Sequence, residues 1–80
     1  MNNSNVTVIG AGAWGTALAQ SFASNDKHVC LWAREDEVVS AINDEHVNST
    51  FLPAVELSPL IKATSDLAEA VAFSDILLIV

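Results

Sequence analysis

Val6-Thr7-Val8-Ile9-Gly10-Ala11-Gly12-Ala13-Trp14-Gly15 decides the fold. Four β-branched residues run directly into a glycine triad. Behind it comes Thr16-Ala17-Leu18-Ala19-Gln20-Ser21-Phe22-Ala23, in which Ala17, Leu18, Ser21 and Phe22 recur at helical spacing. The whole predicts a strand, a tight turn and the start of a helix. Gly10, Gly12 and Gly15 carry the G-x-G-x-x-G spacing, in which each glycine has its own physical task. The first lets the chain leave the strand sharply, the second lets backbone approach a pyrophosphate, and the third lets the new helix lie close against the strand. The N–H groups and positive dipole end of that helix then face the phosphates. Such a triad is weak evidence alone. Its context strengthens it, because a second β-rich run, His28-Val29-Cys30-Leu31-Trp32, arrives where a βαβ unit of roughly 30 residues needs its next strand.

Eighty residues form one domain at most, and half of them (51%) are hydrophobic, as in a layered α/β protein and unlike a disordered chain. Three Lys plus Arg against ten Asp plus Glu give a formal charge of −7, which opposes general affinity for nucleic acid or anionic membrane. A bound phosphate must therefore be held by backbone and one or two placed cations. The single cysteine, Cys30, has no partner for a disulfide or a thiolate metal site and reads as a small buried hydrophobe. Met1 to Asn5 carries no Lys or Arg ahead of the apolar stretch, so a secretory signal is not expected. Without secretion, the Asn48-Ser49-Thr50 match to the glycosylation pattern is an accident. No stretch is long enough to span a bilayer.

In chain order, Met1 to Asn5 is polar and expected to fray, and the first strand starts near Asn5 and ends at Ile9. A helix follows from about Ala13 to Ser24, then a turn at Asn25-Asp26-Lys27, then a strand from His28 to Trp32 or Ala33. Arg34-Glu35-Asp36-Glu37 leads into a short helix over Val38 to Asn43, with acids near its start where the dipole favours them. Asp44 to Leu60 has no clear period, contains Pro53 and Pro59, and reads as an extended connection. Ile61 to Thr64 is a third strand. Ser65 or Asp66 caps a helix through about Ala72, with Glu69 placed for a capping box, and Ile76 to Val80 is a fully apolar strand. The order β-α-β-α-β-α-β predicts the N-terminal part of a Rossmann-type, doubly wound parallel sheet with spatial order 3-2-1-4. Val80 then falls at the topological switch point, so the chain reads as the N-terminal part of a larger protein.

The end of the second strand decides which dinucleotide is held. An acid there accepts hydrogen bonds from the ribose of NAD, whereas an Arg suits the extra phosphate of NADP. Here the strand ends Trp32-Ala33-Arg34, with Glu35 one step later at the start of a helix. NADP(H) is therefore favoured, with NAD(H) tolerated; the competing reading pairs Arg34 with Glu35 or Asp36 at the surface. Trp14 either packs over the pyrophosphate or substrate cleft or covers the domain's own loops. Trp32 reads as core. His28 and His46 stand apart from any second metal ligand, no metal site is expected, and no nucleophile with a nearby base is visible. Lys27 and Lys62 lie away from the carboxyl ends of the strands, and neither is a candidate general acid.

Val8 to Ala19, then Leu31-Trp32-Ala33-Arg34, then Asn48-Ser49-Thr50-Phe51-Leu52-Pro53, then Ser74 to Val80 resemble the N-terminal domain of NAD(P)-dependent glycerol-3-phosphate dehydrogenases, most closely the bacterial form. The resemblance covers nearly the whole chain from Val6. It implies reversible hydride transfer between sn-glycerol 3-phosphate and dihydroxyacetone phosphate, in the cytoplasm, on the way to phospholipids. It also implies that Trp14 and Arg34 occupy NADPH-contacting positions and that Ala13 occupies another, through its backbone N–H. The catalytic lysine, the ligands of the substrate phosphate and a helical C-terminal domain would all lie beyond Val80. Two other readings stay open: a free-standing module that senses nicotinamide redox state, and a Rossmann oxidoreductase of another hydroxy acid or sugar nucleotide. The apolar edge of the last strand predicts self-association of the chain.

Overall fold

A computed structural model describes residues 5–80. The fraying expected of Met1 to Asn5 lies outside the described residues except at Asn5, which is the first residue of a strand. Seven elements alternate: β1 (Asn5–Ile9), α1 (Ala13–Ala23), β2 (His28–Trp32), α2 (Asp36–Glu45), β3 (Ile61–Thr64), α3 (Leu67–Phe73) and β4 (Leu77–Ile79). The four strands form one sheet in the order β3-β2-β1-β4, with every pairing parallel.

The register explains why this order buries so much. Val6, Val29 and Ile61 lie in one row across the sheet, and Val8, Leu31 and Ala63 lie in the next. Side chains alternate along a strand, so both rows face the same way. They meet Ala19 and Ala23 of α1 and Val38 and Ile42 of α2, with Leu57 joining from the connection, and together these form the core. Burial of a side chain such as Leu31, Ile42 or Leu57 stabilises the fold by roughly 1.5–3 kcal/mol. The opposite face is thinner. There the Thr7 hydroxyl donates to the Ala70 carbonyl of α3 at 2.8 Å, so a β-branched polar residue is satisfied against a helix whose own buried residue is an alanine.

Cys30 shares that face and is buried, as a small hydrophobe should be. Desolvation, and secondarily the Glu69 carboxylate, push its thiol from an ordinary 9.0 up to about 11. It is a neutral packing group rather than a nucleophile.

Several elements depart from the sequence expectation. α2 extends beyond Val38 to Asn43 at both ends and stops at His46, which takes a left-handed conformation at φ 58°. Its continuation has a tertiary reason. The Asn43 carboxamide donates to the Ala63 carbonyl at 2.9 Å and accepts from the Ala63 N–H at 2.8 Å, closing the outer edge of β3 as another strand would. Asp66 caps α3 as expected, accepting from the N–H groups of Ala68 and Glu69, but the capping box is not reciprocal. Glu69 instead accepts from the Thr64 hydroxyl at 2.8 Å, and that same hydroxyl accepts from the Asp66 N–H. β4 is shorter than Ile76 to Val80 and its outward residues are uncovered, Ile79 being 82% exposed.

Candidate functional site

The glycine loop leaves β1 beside the end of β2, where the Gly10 N–H donates to the Trp32 carbonyl at 3.1 Å. Gly10 has φ +123°, a conformation that L side chains rarely adopt, and a Cβ there would also meet the Val80 carbonyl oxygen at 2.9 Å. A Cβ on Gly15 would overlap the Gly10 carbonyl oxygen, so this glycine lets α1 close onto the loop it came from. Gly12 differs from both. As N-cap of α1 it has φ −69° and ψ −172°, which any residue adopts, and nothing lies within 4 Å of where its Cβ would be. The protein itself has no use for the missing side chain. The space it leaves adjoins the first turn of α1, whose leading N–H groups lack intrahelical acceptors.

Beside Gly12 lies a cleft of about 210 Å³, lined by Ala11, Gly12, Trp32, Arg34, Glu35 and Phe51. Whole small-molecule sites run to roughly 300–1,000 Å³, so this cleft is smaller than a complete site of that kind. Its rim carries both candidate selectors. Arg34 is exposed at this rim, and among the described residues it forms no salt bridge with Glu35 or Asp36. Glu35 is the N-cap residue of α2 and also lines the cleft, a position that the sequence alone had assigned only to the helix start. Trp32 corrects the expectation of a core residue. It is half-buried, donates from Nε1 to the Ser65 carbonyl at 3.0 Å, and forms a wall of the cleft. Trp14 is 83% exposed on the first turn of α1, so it covers none of the domain's own loops. Ala13 begins the same helix and is exposed beside it.

The connection between α2 and β3 contributes more than an extended tether would. Asn48 is fully buried and donates from Nδ2 to the Ala11 carbonyl at 2.9 Å and to the Thr16 hydroxyl oxygen at 2.7 Å. Its Oδ1 accepts from the Phe51 N–H at 3.1 Å, and its carbonyl accepts from the Leu52 N–H at 2.8 Å. With Nδ2 enclosed in this way, Asn48 is no glycosylation acceptor in the folded chain. Further along, the Ser58 N–H donates to Gln20 Oε1 at 2.8 Å, which ties the connection to α1. The sequence alone suggests no site role for Asn48, Thr16 or Phe51: Asn48 reads there as an accidental glycosylation match, Thr16 as the start of a helical stretch, and Phe51 only as part of the resemblance. The available signal was the Asn itself, a residue whose side chain commonly bonds nearby backbone in turns.

A family model described as NAD-dependent glycerol-3-phosphate dehydrogenase N-terminus matches residues 5–80. The chain belongs to that family. It is 59% identical over 75 residues to a glycerol-3-phosphate dehydrogenase [NAD(P)+] of Parvibaculum lavamentivorans, an alignment covering 94% of this chain and 22% of that protein. Against the enzyme of the same name from Caulobacter vibrioides the identity is 61% over 64 residues, covering 80% of this chain and 19% of the relative. Among solved structures, glycerol-3-phosphate dehydrogenase from Saccharomyces cerevisiae superposes with a TM-score of 0.90 at 33% identity, over 99% of this chain and 26% of that one. The Coxiella burnetii enzyme gives 0.87 at 34% identity, over 96% of this chain and 24% of that one. The chain thus spans about a fifth to a quarter of the length of these relatives.

Proposed function

We propose that this chain is the N-terminal part of the cofactor-binding domain of a glycerol-3-phosphate dehydrogenase, holding NADP(H) in preference to NAD(H). The observation that carries the reading is Gly12, a glycine whose absent Cβ no protein atom replaces, at the mouth of a cleft. A pyrophosphate seated there would accept hydrogen bonds from the loop and from the backbone N–H groups at the start of α1, Ala13 included. Gly10 and Gly15 shape the turn that presents those donors. Trp14 stands exposed beside them, where it contacts the bound cofactor. Arg34 at the cleft rim pairs with a ribose 2′-phosphate through a planar, permanently charged fork. Glu35 lines the same cleft and is placed to accept from a free ribose hydroxyl, which supports tolerance of NAD(H).

When bound, the nicotinamide supplies or accepts a hydride, and a protein group must protonate the substrate oxygen as dihydroxyacetone phosphate becomes sn-glycerol 3-phosphate. Within residues 5–80 we assign no such group. Lys27 precedes β2 and Lys62 lies within β3, both away from the glycine loop. The proton donor and the ligands of the phosphorylated substrate are assigned to a C-terminal substrate domain, for which the length of the relatives leaves room. A cytoplasmic enzyme supplying phospholipid precursors is the setting we propose. No helix of the described residues is long and apolar enough to cross a membrane.

The test uses the complete polypeptide that carries these residues. NADPH should bind more tightly than NADH by calorimetry, and dihydroxyacetone phosphate should be reduced at the expense of the bound nicotinamide. Saturable dinucleotide binding without turnover of that substrate would instead support a sensing module or an oxidoreductase of another substrate.

A further inference from the structure

Asn48 joins two segments that line the cleft, the glycine loop and the connection between α2 and β3. Through Nδ2 it holds the Ala11 carbonyl at 2.9 Å, and the Thr16 hydroxyl, which donates to the same carbonyl at 3.2 Å, is itself held by Nδ2 at 2.7 Å. Through Oδ1 it holds the N–H of Phe51, an aromatic residue that also lines the cleft. The described residues contain no cis peptide bond. A trans peptide is planar, with its C=O and N–H pointing in opposite directions. Drawing the Ala11 carbonyl inward onto two buried donors therefore turns the Gly12 N–H outward, toward the space that no Cβ fills.

We infer that Asn48, with Thr16 as its bridge, is a positioning residue for phosphate binding: it sets the Ala11-Gly12 peptide so that Gly12 presents a fixed N–H donor to the dinucleotide. This rests on the dinucleotide reading above and extends it to residues that touch no ligand. Such a clamp has a physical advantage. A donor already oriented in the free protein loses no conformational freedom when the phosphate arrives. A glycine loop without the clamp could rotate that peptide, because Gly12 has no side chain to restrain it. The clamp also explains why a fully buried asparagine sits on a surface connection, where an apolar side chain would fill the space without needing three polar partners.

The experiment compares the wild type with Thr16→Val, Thr16→Ser and Asn48→Ser in the complete polypeptide, each shown to be folded by circular dichroism and thermal melting. NADPH and adenosine 2′-monophosphate are titrated by calorimetry; the second probe carries the adenosine and the 2′-phosphate but no pyrophosphate. Thr16→Val and Asn48→Ser should weaken NADPH about tenfold, the scale of one well-placed hydrogen bond, while changing adenosine 2′-monophosphate less than about twofold. Thr16→Ser keeps the hydroxyl and should restore NADPH binding. Equal NADPH affinity in the folded variants, or parallel losses for both probes, would overturn the positioning role. A wild type that binds adenosine 2′-monophosphate and NADPH equally well would overturn the pyrophosphate assignment, and a wild type that binds neither would overturn the dinucleotide reading itself.

Discussion

Replacing Gly12 with valine separates what the fold needs from what the ligand needs. The backbone at Gly12 is already extended at φ −69° and ψ −172°, and a Cβ there meets no protein atom within 4 Å. Valine adopts that conformation without strain, and loss of unfolded-state freedom stabilises such a change by ~0.4–1 kcal/mol. Against this stands the poorer N-cap propensity of valine, since Gly→Ala-type changes at a cap cost some tenths to about 1 kcal/mol. Net stability should stay within about 1 kcal/mol, a melting shift of no more than ~4–8 °C for a domain of this size. Binding responds differently. A branched side chain in the phosphate space separates the anion from at least two backbone donors, each charge-assisted bond contributing ~1.5–3 kcal/mol. The loss of ~3–6 kcal/mol corresponds to roughly a hundredfold to ten-thousandfold weaker NADPH. Calorimetric titration beside a thermal melt reads both quantities. As a contrast, Gly15→Ala places its Cβ on the Gly10 carbonyl oxygen, so it should destabilise the fold by ~1–3 kcal/mol or more. A folded Gly12→Val chain with wild-type NADPH affinity would refute the reasoning, as would one that unfolds like Gly15→Ala.

Arg34→Ala should weaken NADPH by about ten- to a hundredfold, the loss of a charged hydrogen-bonding partner, and leave NADH within about twofold; parallel losses in competitive titrations would remove Arg34 from phosphate recognition. Cys30 gives a pH dependence of definite sign. Its thiol is raised from 9.0 to about 11 by burial, with Glu69 adding to the effect, so the folded state keeps its proton where the unfolded state loses it. The associated stability, ~2–3 kcal/mol for a shift of this order, is complete below about pH 9 and is lost as pH rises toward 11. Denaturant unfolding between those values should show the decline in the wild type and a smaller one in Cys30→Ala. Ile79 is 82% exposed and Val80 57% exposed at the β4 edge, so the 80-residue chain should self-associate in sedimentation and Ile79→Lys should shift it toward monomer.

The sheet was legible because its signals are local. β-branched runs at β1 and β2, a glycine triad at fixed spacing and the helical spacing in α1 all act within a dozen residues, and they predict the strand order without a three-dimensional template. What escaped depends on partners far along the chain. Asp44 and Glu45 show no apolar period, yet α2 continues through them past Asn43, which is held in place by Ala63 of β3. Glu69 had two acceptable donors nearby, and the strand-end Thr64 hydroxyl won over the reciprocal cap. Trp32 alternates correctly for a strand residue, but at the strand's last position an indole reaches past the core to Ser65 and the cleft. Asn48 is the clearest case. Its partners Ala11 and Thr16 are 37 and 32 residues away, and no periodicity encodes such a bond. The candidate site divides in the same way. Gly10, Gly12, Gly15 and Arg34 could be chosen from spacing, whereas Glu35 and Phe51 enter the cleft only through the geometry of α2 and the following connection.

The most direct test of the central claim is a nuclear magnetic resonance titration of the isotopically labelled complete polypeptide with NADPH, following backbone amides and the Arg34 side chain. The account predicts saturable shifts that begin at Gly12, Ala13 and Trp14, include Arg34 Nε, and decline with distance from the cleft. Saturable shifts confined to other surfaces, or no shifts from a folded protein, would contradict it.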